Sequence, residues 1–351
     1  MKNRWTSAFR GGTLLAAALG VALALPTWGK GTNTILKVGS YNIRLSGSDK
    51  HVADKGTPNT WESRKADLVQ LLRRLDLDVF GLQEVCPDQA AYLRANLPGY
   101  AYEGEHRNAD RVSGEASPIC YRKDRFVALK KGTFWLSETP DTPGLKGWGA
   151  ACPRICSWAL LEERATGRRF VFANTHTDHI SALAREKGML LIIERMKVFG
   201  AGQPIIFTGD HNCRESEAPA QAVANLMTNA LHASETPPAG PWRTFTGWRW
   251  RDQEYPAIDA LKLPMHVRNA RKGSPDADKD KNGNHVWEDC GARIDYIYAS
   301  PGIRVKSYAT HADARPGKQL YPSDHFPVTA VIELPPSFTD GAVFAFAALA
   351  K

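Results

Sequence analysis

Carboxylates and imidazoles recur at one kind of place in this sequence, the end of a short apolar run. Asn42 closes Ser40-Tyr41-Asn42-Ile43, Glu84 closes Leu82-Gln83-Glu84-Val85, and His176 follows Asn174-Thr175. Asp210 and Asn212 stand in Thr208-Gly209-Asp210-His211-Asn212, Asp295 in Arg293-Ile294-Asp295-Tyr296, and Asp324 and His325 in Ser323-Asp324-His325-Phe326. A charged group at the mouth of an apolar strand needs a partner. One such residue is an ordinary cap; six strand ends with the same chemistry point to a shared site, because binding sites gather where sheet strands end.

Those residue types suit phosphate ester hydrolysis. The reaction needs a cation to offset charge on the phosphoryl oxygens, an oriented water and a stabilised leaving oxygen. A hard cation such as Mg²⁺ takes one or two carboxylates plus waters, which Glu84 and Asp324 can supply. A hydrogen bond donated by His325 to Asp295 would fix the tautomer of His325 and steady its positive form. No Gly-Lys-Ser/Thr phosphate loop or Ser-centred elbow competes in the sequence.

The elements that must carry these residues are read from periodicity. Buried strands are predicted at Leu36–Ile43, Val79–Glu84, Ser117–Arg122, Cys156–Glu162, Arg169–Thr175, Gln203–Thr208, Arg293–Tyr298 and Val328–Leu334. Helices are predicted at Trp61–Leu75, Gln89–Leu97, Ala182–Gly200 and Ala218–Leu226; the Leu68, Leu71, Leu72, Leu75 stripe is core packing. Strands and helices mix without strict alternation, so layered sheets with helices outside are expected. Ser137–Pro153 and Gly240–Asp289 lack periodic pattern, and loops that long are functional or inserted.

The ordered set Tyr-Asn at 41–42, Leu-Gln-Glu at 82–84, Asn-Thr-His at 174–176, Gly-Asp-x-Asn at 209–212, Arg-Ile-Asp-Tyr at 293–296 and Ser-Asp-His at 323–325 resembles the endonuclease/exonuclease/phosphatase superfamily. The likeness is to the group of deoxyribonuclease I and exonuclease III, and it covers about Ile35 to Leu334. Gly132-Thr133-Phe134-Trp135-Leu136-Ser137 also resembles a secreted bacterial branch akin to the deadenylase-type members. The resemblance implies an α+β fold, a four-layer sandwich of two packed β-sheets flanked by helices. It implies Asn42, Glu84 and Asp324 as metal-site residues, with Glu84 the main ligand of Mg²⁺ or Mn²⁺. It implies Asp210 as the group that orients or deprotonates water, Asn212 as a phosphate-oxygen ligand, His176 as a phosphate or leaving-group contact, and His325 with Asp295 on the scissile phosphate.

Other residues are less pointed. Arg154 and Tyr121 are candidate substrate contacts, since Arg suits bidentate phosphate binding; Arg122 is weighed beside them. Asp178 and His179 either extend the site or close a polar turn, with the turn favoured for Asp178. Trp148, Trp242, Trp248 and Trp250 either stack on bases or anchor their loops.

The whole chain of 351 residues, 43% apolar and 23% charged, is of ordinary globular composition. Lys2, Arg4 and Arg10 precede an uncharged run from Thr13 to Leu25, shorter than the ~20 residues of a membrane span. Residues 1–29 therefore read as a secretory signal, leaving a secreted or periplasmic protein without a transmembrane span. Without those three basic residues the net charge of +8 becomes +5, mildly suited to a polyanion. The domain is expected over 33–335, with a polar insertion at about 250–290 and a tail at 336–351. A monomer acting on a phosphate-ester substrate is expected, with a nuclease favoured. The alternatives are a phosphatase or phospholipase C-type enzyme on an inositol phosphate or sphingomyelin-like substrate, and a non-catalytic module of the same fold.

Two further expectations come from spacing. Asp278, Asp280 and Asn282 fall at loop positions one, three and five, with Gly283 at six and Asp289 at twelve, which follows the calcium-loop pattern. A closing Asp in place of Glu and His285 at position eight depart from it, and a solvated insertion is the alternative. Among Cys86, Cys120, Cys152, Cys156, Cys213 and Cys290, the pair Cys213–Cys290 is the first candidate bridge of an exported protein.

Overall fold

The computed structural model describes residues 33–46, 54, 58–200, 202–246, 292–313, 315 and 321–334, and the backbone of 278–279 and 285–286. Two six-stranded sheets dominate. The first runs, in spatial order, β13 (Arg304–Thr310), β14 (Val328–Leu334), β1 (Thr34–Asn42), β2 (Val79–Gln83), β4 (Ile119–Arg122) and β3 (Tyr100–Glu103). The second runs β5 (Phe126–Trp135), β6 (Ile155–Glu163), β7 (Arg169–His176), β8 (Ile205–Asp210), β12 (Asp295–Ala299) and β9 (Thr228–Asn229). A short antiparallel hairpin, β10 (Asp278–Lys279) and β11 (His285–Val286), stands apart.

Side-chain alternation builds the layers. In β1, Leu36 and Val38 enter the core between the sheets, where they meet Val79, Ile119, Leu161, Phe172, Ile206, Ile297 and Ile332. Tyr41, Phe80 and Leu82 face the other way, onto Trp61, Leu68, Leu72 and Leu93 of helices α1 (Trp61–Leu75) and α2 (Pro87–Asn96). On the far side, Val171, Ala173, Ile205 and Phe207 meet Met189, Ile192, Met196 and Val223 of α3 (Ala182–Phe199) and α4 (Ala218–Ala224). One inter-sheet core and two helix-covered outer cores make the four-layer α+β sandwich. The helix ends carry local signals: Pro87 opens α2, and Ser181 caps α3 by accepting the Ala184 N–H at 3.1 Å.

Pairing direction gathers the polar strand ends. β1 and β2 are parallel, as are β7 and β8, so Asn42, Gln83, His176 and Asp210 all end at one rim. β12 is antiparallel to β8, which sets Asp295 opposite Asp210, and β14 is antiparallel to β1, which brings the chain through Asp324 and His325 to the same rim.

The described residues from Asn33 onward belong to one compact unit. Residues 1–29 and 336–351, Trp248, Trp250, Asp280, Asn282, Asp289 and Cys290 lie outside the described residues, and Asp278 is described only as backbone of β10. The five described cysteines are unbridged. Among the described residues no helix is long and apolar enough to cross a membrane.

Candidate active site

Asn42 is the hub of the rim. Its amide nitrogen donates to Glu84 Oε1 at 3.0 Å and to Asp210 Oδ2 at 2.9 Å, and its Oδ1 accepts the Arg44 N–H at 3.0 Å. Glu84 also accepts the Leu45 N–H at 2.9 Å. Arg44, Glu84 and Asn212 take φ of 57°, 63° and 45°, left-handed values that are costly outside glycine and that concentrate at functional sites. Backbone N–H groups hold the carboxylates in place of water: Asn212 N donates to Asp210 Oδ1 at 2.9 Å.

Asp210 and His325 form the chemical centre. His325 Nδ1 lies 2.8 Å from Asp295 Oδ2, and its Nε2 lies 3.7 Å from Asp210 Oδ2. Burial opposes a charged ring, yet the flanking Asp295 and Asp210 raise His325 to about 10, so it is an imidazolium at neutral pH. Burial and the Asp295 charge push Asp210 up to about 7, the range of a general base. Thr244 Oγ1 accepts the Asp295 N–H at 3.1 Å, and Phe245 packs on the His325 ring at 4.8 Å between centroids.

His176 behaves differently from His325. Burial and the neighbouring Arg154 and Arg107 hold it well below the usual imidazole range, so it is neutral. Its Nε2 accepts from Asn212 Nδ2 at 2.9 Å and stands 3.4 Å from Asp210 Oδ2. The proton then sits on Nδ1, a buried atom without a hydrogen-bond partner and 4.0 Å from Glu115. Two imidazoles of opposite charge state thus flank one carboxylate.

The donor set fits a hard divalent cation. Burial and the nearby Glu84 charge push Asp324 up, although His325 and Arg44 act against this; Arg44 Nη1 is 3.8 Å from Asp324 Oδ2. Glu84 and Asp324 offer oxygen donors, which suit a hard divalent cation rather than a soft metal. Asp210, Asp295 and His325 also bring three donor atoms within 4.8 Å of one another. There His325 is protonated between two carboxylates, and an ion pair rather than a ligand set describes it.

A polar layer beneath the rim fixes these groups. Gln83 Nε2 donates to Ser40 Oγ at 3.1 Å and Asn174 Oδ1 at 2.7 Å; Asn174 Nδ2 donates to the Leu82 and Pro118 carbonyls, and Thr208 Oγ1 reaches Asn174 Oδ1 at 3.1 Å. Ser323 Oγ donates to the Asn42 carbonyl at 2.7 Å and ties the Asp324 segment to β1. Gly81 leaves room for this layer, since a Cβ there would sit 2.2 Å from Asn174 Oδ1. Gly81→Ala is expected to destabilise the protein by ~1–3 kcal/mol, the range for overpacking a filled core, and to lower activity with it. Urea unfolding checks this, and an unchanged midpoint would contradict the packing argument.

The structure gathers Asn42, Glu84, His176, Asp210, Asn212, Asp295, Asp324 and His325 at one rim. Arg154 lies close by, buried, 3.6 Å from Asp178 Oδ2 and 2.8 Å from His179 Nδ1. Tyr121 does not join them. It pairs with Val79 at the opposite end of β2, its ring belongs to the inter-sheet core, and its hydroxyl donates to Glu103 at 3.3 Å. The substrate role expected for Tyr121 is therefore withdrawn: β4 runs antiparallel to β2 and carries Tyr121 away from the rim. Arg122, at the same end, pairs with Asp76 and Asp78. Asp178 closes a turn, accepting the Ile180 and Ser181 N–H groups at 3.0 and 2.7 Å. Trp148 and Trp242 pack partly buried against cores. Sequence reasoning passed over Arg44, Arg107, Glu115, Thr244 and Phe245, which lie in loops without periodic signal. Gln83 and Asn174 stood inside the motifs above, and their place as polar residues within otherwise apolar strands was the available clue.

Comparison with known proteins agrees with this geometry. The family model described as Endonuclease/Exonuclease/phosphatase family matches residues 39–325. A solved structure of an endonuclease/exonuclease/phosphatase family protein from Bacteroides thetaiotaomicron is 32% identical, with TM-score 0.69 over 87% of this chain and 96% of that one. A mannosyl-6-phosphatase from the same organism is 33% identical, with TM-score 0.68 over 85% of this chain and 99% of that one. Nocturnin of Drosophila melanogaster is 25% identical over 313 residues, 80% of this chain and 43% of that protein. The chain spans less than two thirds of the length of the curated relatives it matches, 59% at most.

Proposed function

Since the chain belongs to the endonuclease/exonuclease/phosphatase family, we propose that it is a Mg²⁺-dependent phosphatase that removes a terminal phosphate from a phosphorylated sugar or a similar small hydroxylated molecule. The observation that carries the hydrolytic reading is Asp210, held by Asn42 and Asn212 and flanked by a neutral His176 and a charged His325. Asp210, unprotonated above about pH 7, takes a proton from the attacking water as the bond from phosphorus to the leaving oxygen breaks, and the leaving alkoxide takes up a proton from solvent to depart as the alcohol. The His325 imidazolium donates from Nε2 to a phosphoryl oxygen, and Asp295 keeps it charged while the oxygen gains negative charge. Asn212, whose Nδ2 lies 2.9 Å from His176 Nε2, would contact a remaining oxygen on the opposite side. Glu84 and Asp324 would hold the divalent cation, which supplies Lewis-acid neutralisation of the phosphoryl oxygens.

The choice of a small phosphomonoester over the nuclease expected from sequence rests on two supports. The 33% identity to a mannosyl-6-phosphatase extends over nearly all of that chain. Trp148 and Trp242, two of the four tryptophans that a base-stacking groove would use, pack as loop anchors instead. The test is a panel of mannose 6-phosphate, glucose 6-phosphate, bis-p-nitrophenyl phosphate, single-stranded RNA and single-stranded DNA. Turnover of the sugar phosphates is expected, abolished by excess EDTA and restored by Mg²⁺ or Mn²⁺. Full activity in EDTA would sink the metal assignment, and preference for RNA or DNA would restore the nuclease.

A further inference from the structure

Beside His176 lies a second, unassigned group of side chains. Asp178 is buried and fully occupied: Oδ1 accepts the Ile180 and Ser181 N–H groups, and Oδ2 accepts the Ala151 N–H at 3.0 Å. It joins the turn after β7 to the loop before β6 and stands against the buried Arg154, whose Nε is 3.6 Å from Oδ2. Arg154 Nη2 in turn lies 2.8 Å from His179 Nδ1. A guanidinium only donates, so His179 Nδ1 must accept. The proton of the neutral ring is therefore on Nε2. His179 is exposed, unlike Asp178 and Arg154, and lies in the turn just after His176, where β7 ends at the rim beside Asp210, which places it at the mouth of the same site.

A side chain at the mouth of an active site with its tautomer dictated from behind has one chemical capacity left, an uncharged N–H donor of fixed direction. Cys152, Asp178 and His179 also bring donor atoms within 4.8 Å of one another. A cation there would have to sit against the Arg154 guanidinium and take the Nδ1 lone pair that Arg154 already uses. A hydrogen-bond donor is the reading consistent with both.

We propose that His179 is a specificity residue that donates from Nε2 to a hydroxyl oxygen of the leaving group, with Arg154 and Asp178 as its positioning residues. A neutral donor favours a polyol leaving group over an aryl one that offers no hydroxyl. This inference rests on the sugar-phosphatase reading and deepens it.

The test compares kcat/KM for mannose 6-phosphate and p-nitrophenyl phosphate in wild type, His179→Ala and His179→Gln, each in Mg²⁺. The ratio of the two constants, sugar over aryl, is expected to fall about 5- to 10-fold in His179→Ala, the worth of one neutral hydrogen bond, chiefly through KM. His179→Gln, which retains an N–H donor of similar reach, is expected to recover part of the ratio. A ratio unchanged in His179→Ala, or a loss equal on both substrates, would overturn the role of His179 while leaving the phosphatase reading intact. Wild type inactive on the sugar phosphate but active on the aryl ester would overturn the phosphatase reading itself and this inference with it.

Discussion

Asp210→Asn is expected to lower kcat by on the order of 10²-fold or more, the scale of a lost general base, with little change in fold. The substitution keeps the shape of the side chain and the bond from Asn212 N to Oδ1, which is 2.9 Å in the wild type. It removes the one oxygen, Oδ2, that stands within 3.7 Å of both His176 and His325 and bonds Asn42. The stability effect has a definite sign. Burial and Asp295 put the folded Asp210 at about 7, above its unfolded value of ~3.9. The folded state therefore holds a proton that the unfolded state releases, and wild-type stability falls as pH rises from ~4 through about 7. The amide of the variant cannot titrate. In metal-free protein the melting temperature of the variant, relative to wild type, should climb between pH 5 and pH 8. Wild-type turnover would refute the assignment of Asp210, and a pH-independent difference in melting temperature would refute its raised proton affinity.

How much of this was legible in the sequence follows from where each strand lies in its sheet. The eight strands predicted from apolar runs are the eight interior strands, β1, β2, β4, β14 and β6, β7, β8, β12. Within the two six-stranded sheets the four that were missed, β3, β5, β9 and β13, are the four edges. An edge strand has one paired side and bears polar residues: β5 carries Lys130 and Lys131 exposed in mid-strand, and β13 exposes Arg304. Neither reads as a buried apolar segment. The rim residues were legible for the converse reason, because charge at the end of an interior strand is conspicuous. Tyr121 was misplaced because strand direction is silent in a single sequence; β4 reverses relative to β2 and sends its far end away from the rim. The Arg154–His179 contact was illegible because it joins two loops through Asp178, with no period to announce it.

Asp295→Asn is expected to cost as much or more, up to ~10⁴-fold in kcat, the order seen when a carboxylate that orients a catalytic imidazole is neutralised. Asp295 is fully buried, and its Oδ2 meets His325 Nδ1 at 2.8 Å. Burial alone would drive His325 below the usual imidazole range, and Asp295 is the first of the charges that reverse this. With Asn at this position the ring holds its proton less tightly, although Asp210 and Asp324 remain, and donates to a phosphoryl oxygen with less force. The wild-type rate should therefore hold on the alkaline side until about pH 10, whereas in Asp295→Asn the alkaline fall should move down by several pH units. Linkage gives a second, independent readout. His325 at about 10 lies above its unfolded ~6.5, so its contribution to stability is fully present below ~6.5 and is lost as pH rises through about 10. The melting-temperature deficit of Asp295→Asn should be largest near pH 6 and should shrink towards pH 10. That window lies above the one set by Asp210, whose own proton affinity also depends on Asp295, so the His325 contribution is read above pH 7. A deficit of constant size from pH 6 to pH 10, or an alkaline limb left in place, would show that His325 does not owe its charge to Asp295.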